Sequence, residues 1–377
     1  MALPLLLFLL ISYAYSLLIL LFHLEIEKEP DKPGDEVKNP QPLSVIIPVR
    51  NESEHLPGLL DDLVKQSYPG ELWEVIFVDD HSEDGSVSVL EALLQSRVPE
   101  GRYFYVLSLP AEKSGKKAAL SFGIDHAKHK RIIQVDADCN LGPRFLASHI
   151  FFQNQHPSDL TAGLVSTGKG KGNFLEIFER LDLLSLIGVA AGSFGAGRPM
   201  MCSGANLSYS RELYQETRSF DPEHTIPSGD DMFLMIGARK LGRKLTFTTN
   251  RDSLVLTRPA KNFRSLLAQR IRWGSKSRRY GMIDIQFLAI LVSLTNLSVF
   301  LMPLWMIIYT EWWPWLAGAL LFKTLADFLL LHRITGLTGQ RSDLRLFIPV
   351  TLCYYPFFLI SVIGGLLGKS EWKRSLK

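Results

Sequence analysis

Cysteine is scarce. The chain has three in 377 residues, Cys139, Cys202 and Cys353, scattered without paired spacing. That excludes a disulfide framework and a C-x-x-C zinc site, and it suits a reducing compartment. An excess of charge of one sign is also missing: 41 Lys and Arg against 38 Asp and Glu leave a net charge of +3. So small a balance speaks against nucleic acid as a partner. No internal repeat and no low-complexity tract is present. Apolar sequence, by contrast, is plentiful. Hydrophobic residues make up 47% and mean hydropathy is +0.11 although 21% of residues are charged. The two figures are reconciled by segregation, with apolar runs at both ends and a mixed stretch between them.

Residues 2–22 are nearly all apolar and long enough to span a bilayer. A cleaved signal peptide would want a basic start and a small-residue cleavage site. Met1-Ala2-Leu3-Pro4 offers neither, so an anchor over 1–24 is expected. A charged, Pro-rich linker follows over 25–42. Three further apolar runs occupy about 285–309, 313–332 and 346–367 within a C-terminal membrane region, 284–368. Arg270, Arg272, Lys276, Arg278 and Arg279 precede the first of them, and Arg333, Arg341 and Arg345 lie between the last two. Basic flanks of this kind mark the cytoplasmic side. Glu311-Trp312-Trp313 marks the opposite interface. Four spans with a cytoplasmic soluble domain put both termini outside, against the basic tail 369–377. Either the tail departs from the charge rule or one run is re-entrant.

Between these ends, 43–258 reads as one α/β domain. Leu43–Val49 and Trp73–Val78 are short apolar runs with β-branched residues, as buried strands are. Helix Ser53–Gln66, strand Tyr103–Leu107, helix Lys116–Ala127 and strand Arg131–Val135 continue the alternation. Such alternation predicts a parallel sheet with helices on both faces. Ligands bind beyond the carboxyl ends of its strands. Asp79, Asp80, Asp136 and Asp138 all fall at strand ends.

Taken singly, each motif has an ordinary explanation. Pro48-Val49-Arg50-Asn51-Glu52 makes a strand-to-helix turn with Asn51 or Ser53 as N-cap. Asp79-Asp80 opens an Asp/Gly turn, although a carboxylate there can also accept from a uracil N–H or a ribose hydroxyl. Glu112 to Ala118 is a solvated basic helix start or a diphosphate cradle. It is not a Walker A loop, lacking the first glycine and the Ser/Thr after lysine. Asp136-Ala137-Asp138 offers two hard oxygen donors, the ligands Mg²⁺ and Mn²⁺ prefer. Met201–Tyr209 is a turn and buried strand, or a cleft wall whose small residues admit a sugar. Asp230-Asp231 suits a helix first turn electrostatically. Asn262–Tyr280 is amphipathic and basic, as a helix in the interface plane is. Phe174–Ile187 is a second amphipathic stretch, for the interface or for core packing.

Together the motifs say more. Asp79-Asp80, Asp136-Ala137-Asp138, Gly229-Asp230-Asp231 and Gln269-Arg270-Ile271-Arg272-Trp273, in that order, resemble the membrane-bound, processive-type branch of glycosyltransferase family 2 over roughly 43–280. The resemblance implies the GT-A fold, a Rossmann-like mixed α/β sheet, with transmembrane helices at both ends. It implies that Pro48, Glu52, Asp79, Asp80, Lys116, Asp136, Gln269 and Arg272 hold the nucleotide-sugar. Asp136 and Asp138 would carry Mg²⁺ or Mn²⁺, and Asp231 would be the general base. Gly204, Asn206, Asp230 and Trp273 would frame the acceptor. The interfacial segment with Gln-x-x-Arg-Trp covers 259–283. The family more often has Glu or Thr-Glu before the base, so Gly229-Asp230 is a mild departure that bears on the role of Asp230.

The expectation is an inverting, metal-dependent enzyme of the cell membrane, multi-pass, with its catalytic domain in the cytoplasm. It would move a sugar from a nucleotide-sugar, a UDP-sugar by resemblance, to a lipid or a growing polysaccharide. The alternative of a different class is an inactive GT-A membrane protein serving as nucleotide sensor or assembly partner. Such a protein should lack one of the metal-site or base carboxylates, and all are present.

Overall fold

The computed structural model describes residues 2–24, 37, 39–168, 170, 172–220, 229–275 and 280–367. Most of the expected linker, Lys276, Arg278, Arg279 and the tail lie outside the described residues. The chain opens with α1 (Ala2–Phe22), β1 (Leu43–Val49), α2 (Leu56–Val64), β2 (Trp73–Asp79), α3 (Ser86–Arg97) and β3 (Tyr103–Ser108). Next come α4 (Lys116–His126), β4 (Arg131–Gln134), β5 (Asn140–Leu141), α5 (Phe145–Gln155), β6 (Leu160–Gly163), β7 (Val165–Thr167) and α6 (Phe174–Gly195). Then follow β8 (Leu207–Ser210), α7 (Arg211–Thr217), α8 (Asp230–Lys240), β9 (Leu245–Thr248), β10 (Val255–Thr257) and α9 (Phe263–Gly274). The end of the chain is helical: α10 (Ile283–Phe300), α11 (Met302–Ile308), α12 (Trp313–Leu337) and α13 (Phe347–Leu367).

These elements form two compact units. Residues within 26–168 and 201–258 make the first, and those within 1–25, 169–200 and 259–371 the second. The segment holding α6 thus belongs with the terminal helices, although it lies inside the stretch expected as one domain.

Among the described residues, the main sheet of the sheet unit has seven strands in the order β3-β2-β1-β4-β8-β6-β9. Strand β1 is the hub. Every one of its residues is buried, as Val and Ile on a strand covered on both faces require. It pairs in parallel with β2, Val49 opposite Asp79, and with β4, Ile46 opposite Gln134. The sheet is mixed, not wholly parallel. Strand β8 runs antiparallel to both β4 and β6. Alternation along the first half of the chain predicts the parallel half correctly. It cannot see β8, which follows a long helix of the other unit. A small sheet, β5-β10-β7, completes the unit.

Among the described residues of the helical unit, four helices are long and apolar enough to cross a membrane: Leu3–Phe22, Ile283–Phe300, Thr310–Leu337 and Arg341–Leu367. The run expected over 285–309 divides into α10 and α11, with Pro303 at the start of α11, where a missing N–H costs nothing. Helix α6 is packed rather than interfacial, with a majority of its residues buried. Its glycines admit α1 at backbone contact. A Cβ on Gly192 would lie 2.3 Å from the Leu20 carbonyl oxygen, and one on Gly195 only 1.9 Å from that of His23. Small residues allow this approach between apolar helices.

A buried polar knot joins α1, α12 and α13. Lys323 Nζ donates to Asp327 Oδ2 (2.6 Å) and to the Tyr355 hydroxyl (3.2 Å), and the Tyr13 hydroxyl donates to Asp327 Oδ1 (2.9 Å). Every charge there has a partner, as burial of charge demands. Asp327→Leu alone should therefore lower the melting temperature of detergent-purified protein more than Lys323→Met with Asp327→Leu. Breaking a buried pair from one side costs about 3–5 kcal/mol, whereas replacing both partners is often neutral. A double variant as unstable as the single one would contradict the pairing.

Candidate active site

At the carboxyl edge of the sheet, β1 and β2 end at Val49 and Asp79, and Asp136 follows β4. Because β8 runs the other way, the segment before it, Gly204 to Asn206, reaches the same edge. Helices α4 and α8 begin there too, each after a glycine with positive φ, Gly115 at 99° and Gly229 at 100°. Helix starts present free N–H groups and the positive end of the dipole, so the edge suits an anion.

Charge is concentrated at this edge. Lys116 Nζ stands 2.5 Å from Asp136 Oδ1. Burial pulls the Lys116 ammonium down, but Asp136, then Asp230 and Asp231, more than reverse this and hold it raised. Burial raises the Asp136 carboxyl; Lys116 opposes the rise and Asp138 adds to it. Asp231 Oδ2 accepts from Gly204 N–H (3.0 Å) and Oδ1 from Met232 N–H (2.8 Å). Burial, then the neighbouring Asp230 charge, push the Asp231 carboxyl up to about 6, against the pull of Lys116 and the two N–H groups. Gly204 fills a narrow gap: a Cβ would lie 2.8 Å from Gln134 Nε2, 3.4 Å from Lys116 Nζ and 3.5 Å from Asp231 Cβ. Asp230 Oδ2 accepts from Gln134 Nε2 at 2.8 Å. Lys116, Asp136, Asp138, Gly204, Asp230 and Asp231 thus come together as one constellation.

Other residues singled out from the sequence have different surroundings. Asp80 is wholly buried. Its oxygens accept from Gly115 N–H (3.0 Å) and Arg50 (2.9 Å), fastening the start of α4 to the end of β2. Asp79 is also buried and accepts from Ser82 N–H at 3.3 Å. Pro48 is buried within β1, and Glu52 Oε2 meets His55 Nδ1 at 2.5 Å. Asn206 has no exposure. Its amide donates to the carbonyls of Leu164 and Ser253 (2.8 and 2.7 Å), and its oxygen faces His149 Nε2 (2.9 Å). In this structure Asn206 holds the layer under Gly204 and lines no surface.

Gln269, Arg272 and Trp273 lie on α9, in the helical unit. The helix is capped by Asn262 with Ser265, and its last turns meet α13, where a Cβ on Gly365 would touch the Gly274 backbone at 3.1 Å. Arg270 Nε donates to the buried Asp182 of α6 at 2.5 Å, and its guanidinium lies 4.2 Å from the centre of the Trp273 ring. Trp273 keeps 37% of its surface exposed.

A glycosyl transferase family 2 model matches residues 44–218, and a glycosyl transferase family group 2 model matches 132–362, more than half of the chain. The chain belongs to glycosyltransferase family 2. Among curated relatives, the glycosyltransferase AglE of Haloferax volcanii is 26% identical over 71% of this chain and 80% of its own length. The poly(ribitol-phosphate) beta-glucosyltransferase of Bacillus spizizenii is 26% identical over 57% of this chain, which spans about a third (32%) of that protein. The mannosyltransferase PcManGT of Pyrobaculum calidifontis, solved with GDP-Man and Mn2+, covers 96% of this chain and 99% of its own at 19% identity, with a TM-score of 0.59. That likeness establishes the GT-A fold. Among the described residues, four helices have the length and apolar character of membrane spans, which suits a membrane protein.

Beside the constellation, Gln134 (1% exposed) and the bond its Oε1 accepts from the Tyr209 hydroxyl (3.0 Å) escape the motif reading, which holds Tyr209 only as the end of the Met201–Tyr209 segment. A lone amide in the apolar run Ile132-Ile133-Gln134-Val135 is the signal that points to them.

The raised Asp231 carboxyl has a consequence for stability. Its ordinary value is 3.8 and its folded value about 6, so folding favours the protonated form. The resulting penalty is absent below the lower value, grows between the two and persists above the higher one. Asp231→Asn should therefore melt higher than the parent protein at pH 7.5, with the gap closing below pH 4. A gap independent of pH would contradict the burial of this charge.

Proposed function

We infer that the constellation at the sheet edge transfers a sugar, with inversion, from a nucleotide-sugar to a membrane-associated acceptor. The observation that carries the reading is Asp231: a carboxylate at a helix start, with an elevated proton affinity, beside a lysine already surrounded by acids. A base tuned toward neutrality is what removal of a hydroxyl proton needs. Asp231 takes that proton as the acceptor oxygen attacks the anomeric carbon and the nucleoside diphosphate leaves. Lys116 and the N–H groups at the start of α4 face the departing charge. Arg272 and Gln269 are assigned to the diphosphate and Trp273 to the acceptor sugar, on the family resemblance of their motif.

The donor set fits a divalent cation. Asp136 and Asp138 repel one another at one site, and both supply hard oxygens. Among the described residues no group of three or more His, Cys, Asp or Glu converges on one point. The remaining ligands would then come from the diphosphate and water, as is usual for Mg²⁺ and Mn²⁺. When bound, the ion neutralises charge on the leaving diphosphate. The donor is assigned as a UDP-sugar and the acceptor as a lipid or a growing polysaccharide. The basic residues flanking the apolar helices support a cytoplasmic side for the sheet unit.

Incubating membranes with radiolabelled UDP-sugars and GDP-mannose, then separating lipid from polymer, tests donor and acceptor together. Incorporation from a UDP-sugar is expected, and labelling from GDP-mannose alone would overturn the donor assignment. Asp231→Asn should lower transfer by about 10²–10⁴-fold, the usual contribution of acid–base assistance, while UDP affinity stays near the parent value. Retention of transfer within about tenfold would remove Asp231 from the role. EDTA should abolish activity, and Asp138→Ala should weaken Mn²⁺-dependent UDP binding. Full activity in EDTA would defeat the metal assignment.

A further inference from the structure

The tandem acids Asp230 and Asp231 differ in what holds them. Asp231 faces backbone, through Gly204 and Met232. Asp230 is held by a side-chain relay that begins deep in the sheet. Gln134 on β4 and Tyr209 on β8 are both buried. The register sets Gln134 opposite Leu207, two residues from Tyr209, so the two side chains share one face as diagonal neighbours. The Tyr209 hydroxyl donates to Gln134 Oε1, and Gln134 Nε2 donates to Asp230 Oδ2. These contacts define which way round the amide sits. With a hydroxyl donor on its oxygen, its N–H must point at the carboxylate, and a flipped amide would set oxygen against oxygen. The only side chain that leaves the amide room at Gly204 is hydrogen, since a Cβ there would sit 2.8 Å from Nε2.

We propose that Tyr209 and Gln134 are positioning residues that pin Asp230 as a hydrogen-bond acceptor, and so commit Asp231, its neighbour, to accepting the proton in transfer. The idea rests on the reading of Asp231 as base. Two adjacent carboxylates of equal standing would share one proton and divide its position between them. A donor fixed on one of them breaks the tie, because a hydrogen bond to the charged form favours that form. Other groups that act on the pair are Lys116 and Lys117 from α4, Asp136 after β4, Cys202, and Tyr214 from α7. Gln134 donates directly to the Asp230 carboxylate, Nε2 to Oδ2 at 2.8 Å. Charge from Asp230 is in turn the second cause, after burial, of the high proton affinity of Asp231.

The test uses the full chain in membranes, with UDP-glucose and UDP-N-acetylglucosamine as donors, and compares the parent with Gln134→Leu and Tyr209→Phe. Tyr209→Phe keeps the ring in its place and removes only the donor that orients the amide. The acid limb of kcat, expected near pH 6 in the parent, should move to higher pH by about one unit in Gln134→Leu and by less in Tyr209→Phe. Donor KM should stay within about twofold, since the relay touches no bound group. A loss of kcat by the same factor at every pH, or an effect confined to donor KM, would overturn the proposal. The melting gap between each variant and its Asp231→Asn derivative, followed against pH, reads the same proton without turnover and covers the case of inactive protein. There too the window should move upward in both variants, and an unmoved window counts against the relay. Failure of the base reading looks different: Asp231→Asn would keep its activity. Failure of this inference alone would leave Asp231→Asn inactive and the limb in place.

Discussion

Lys116 sets the terms for everything around it. A buried ammonium 2.5 Å from Asp136, with Asp230 and Asp231 also acting on it, is stable only because acids from a strand end and a helix start converge there. The same convergence requires Asp80 beneath it. That carboxylate fastens Gly115 and thus the first turn of α4, so the lysine projects where the acids are. Remove either element and the remaining charges are buried without balance. The sheet edge is therefore an electrostatic unit as much as a geometric one, built from residues 80 to 231 of the chain.

Such a unit suits a reaction in which negative charge departs while a proton is taken nearby. Leaving charge needs cations and N–H groups already in place, so that nothing reorganises during the reaction. The proton needs a carboxylate that is not too acidic, and burial next to another acid supplies one in Asp231. The second demand raises the energy of the folded protein at neutral pH, whereas the acids around Lys116 keep its ammonium favoured there. The helical unit repeats the economy of pairing in apolar surroundings, with Arg180 on Asp343, Arg270 on Asp182 and Lys323 on Asp327.

Much of this was legible in the sequence. The apolar runs gave the four long helices, and Leu43–Val49 gave the central strand with the same boundaries. Motif order points to Asp136, Asp138, Gly204, Asp230 and Asp231, and these residues converge. Three things were not legible. The antiparallel course of β8 follows from tertiary pairing, which alternation of elements cannot show. The burial of Asp80 and Asn206 depends on partners, Gly115 N–H, Arg50, Leu164 and His149, that lie far away in sequence. Helix α6 carries an amphipathic pattern compatible with an interface, and its burial and glycine contacts with α1, which depend on distant partners, reveal packing.

The central claim is that this edge of the sheet is where donor, cation and base meet. The most direct measurement is an experimental structure of the full chain with UDP and Mn²⁺ bound. The account predicts the cation on Asp136 and Asp138, the diphosphate against Lys116 and the start of α4, and the Asp231 carboxylate open toward the side from which an acceptor would approach. A cation held by other residues, or UDP seated away from Lys116, would contradict it.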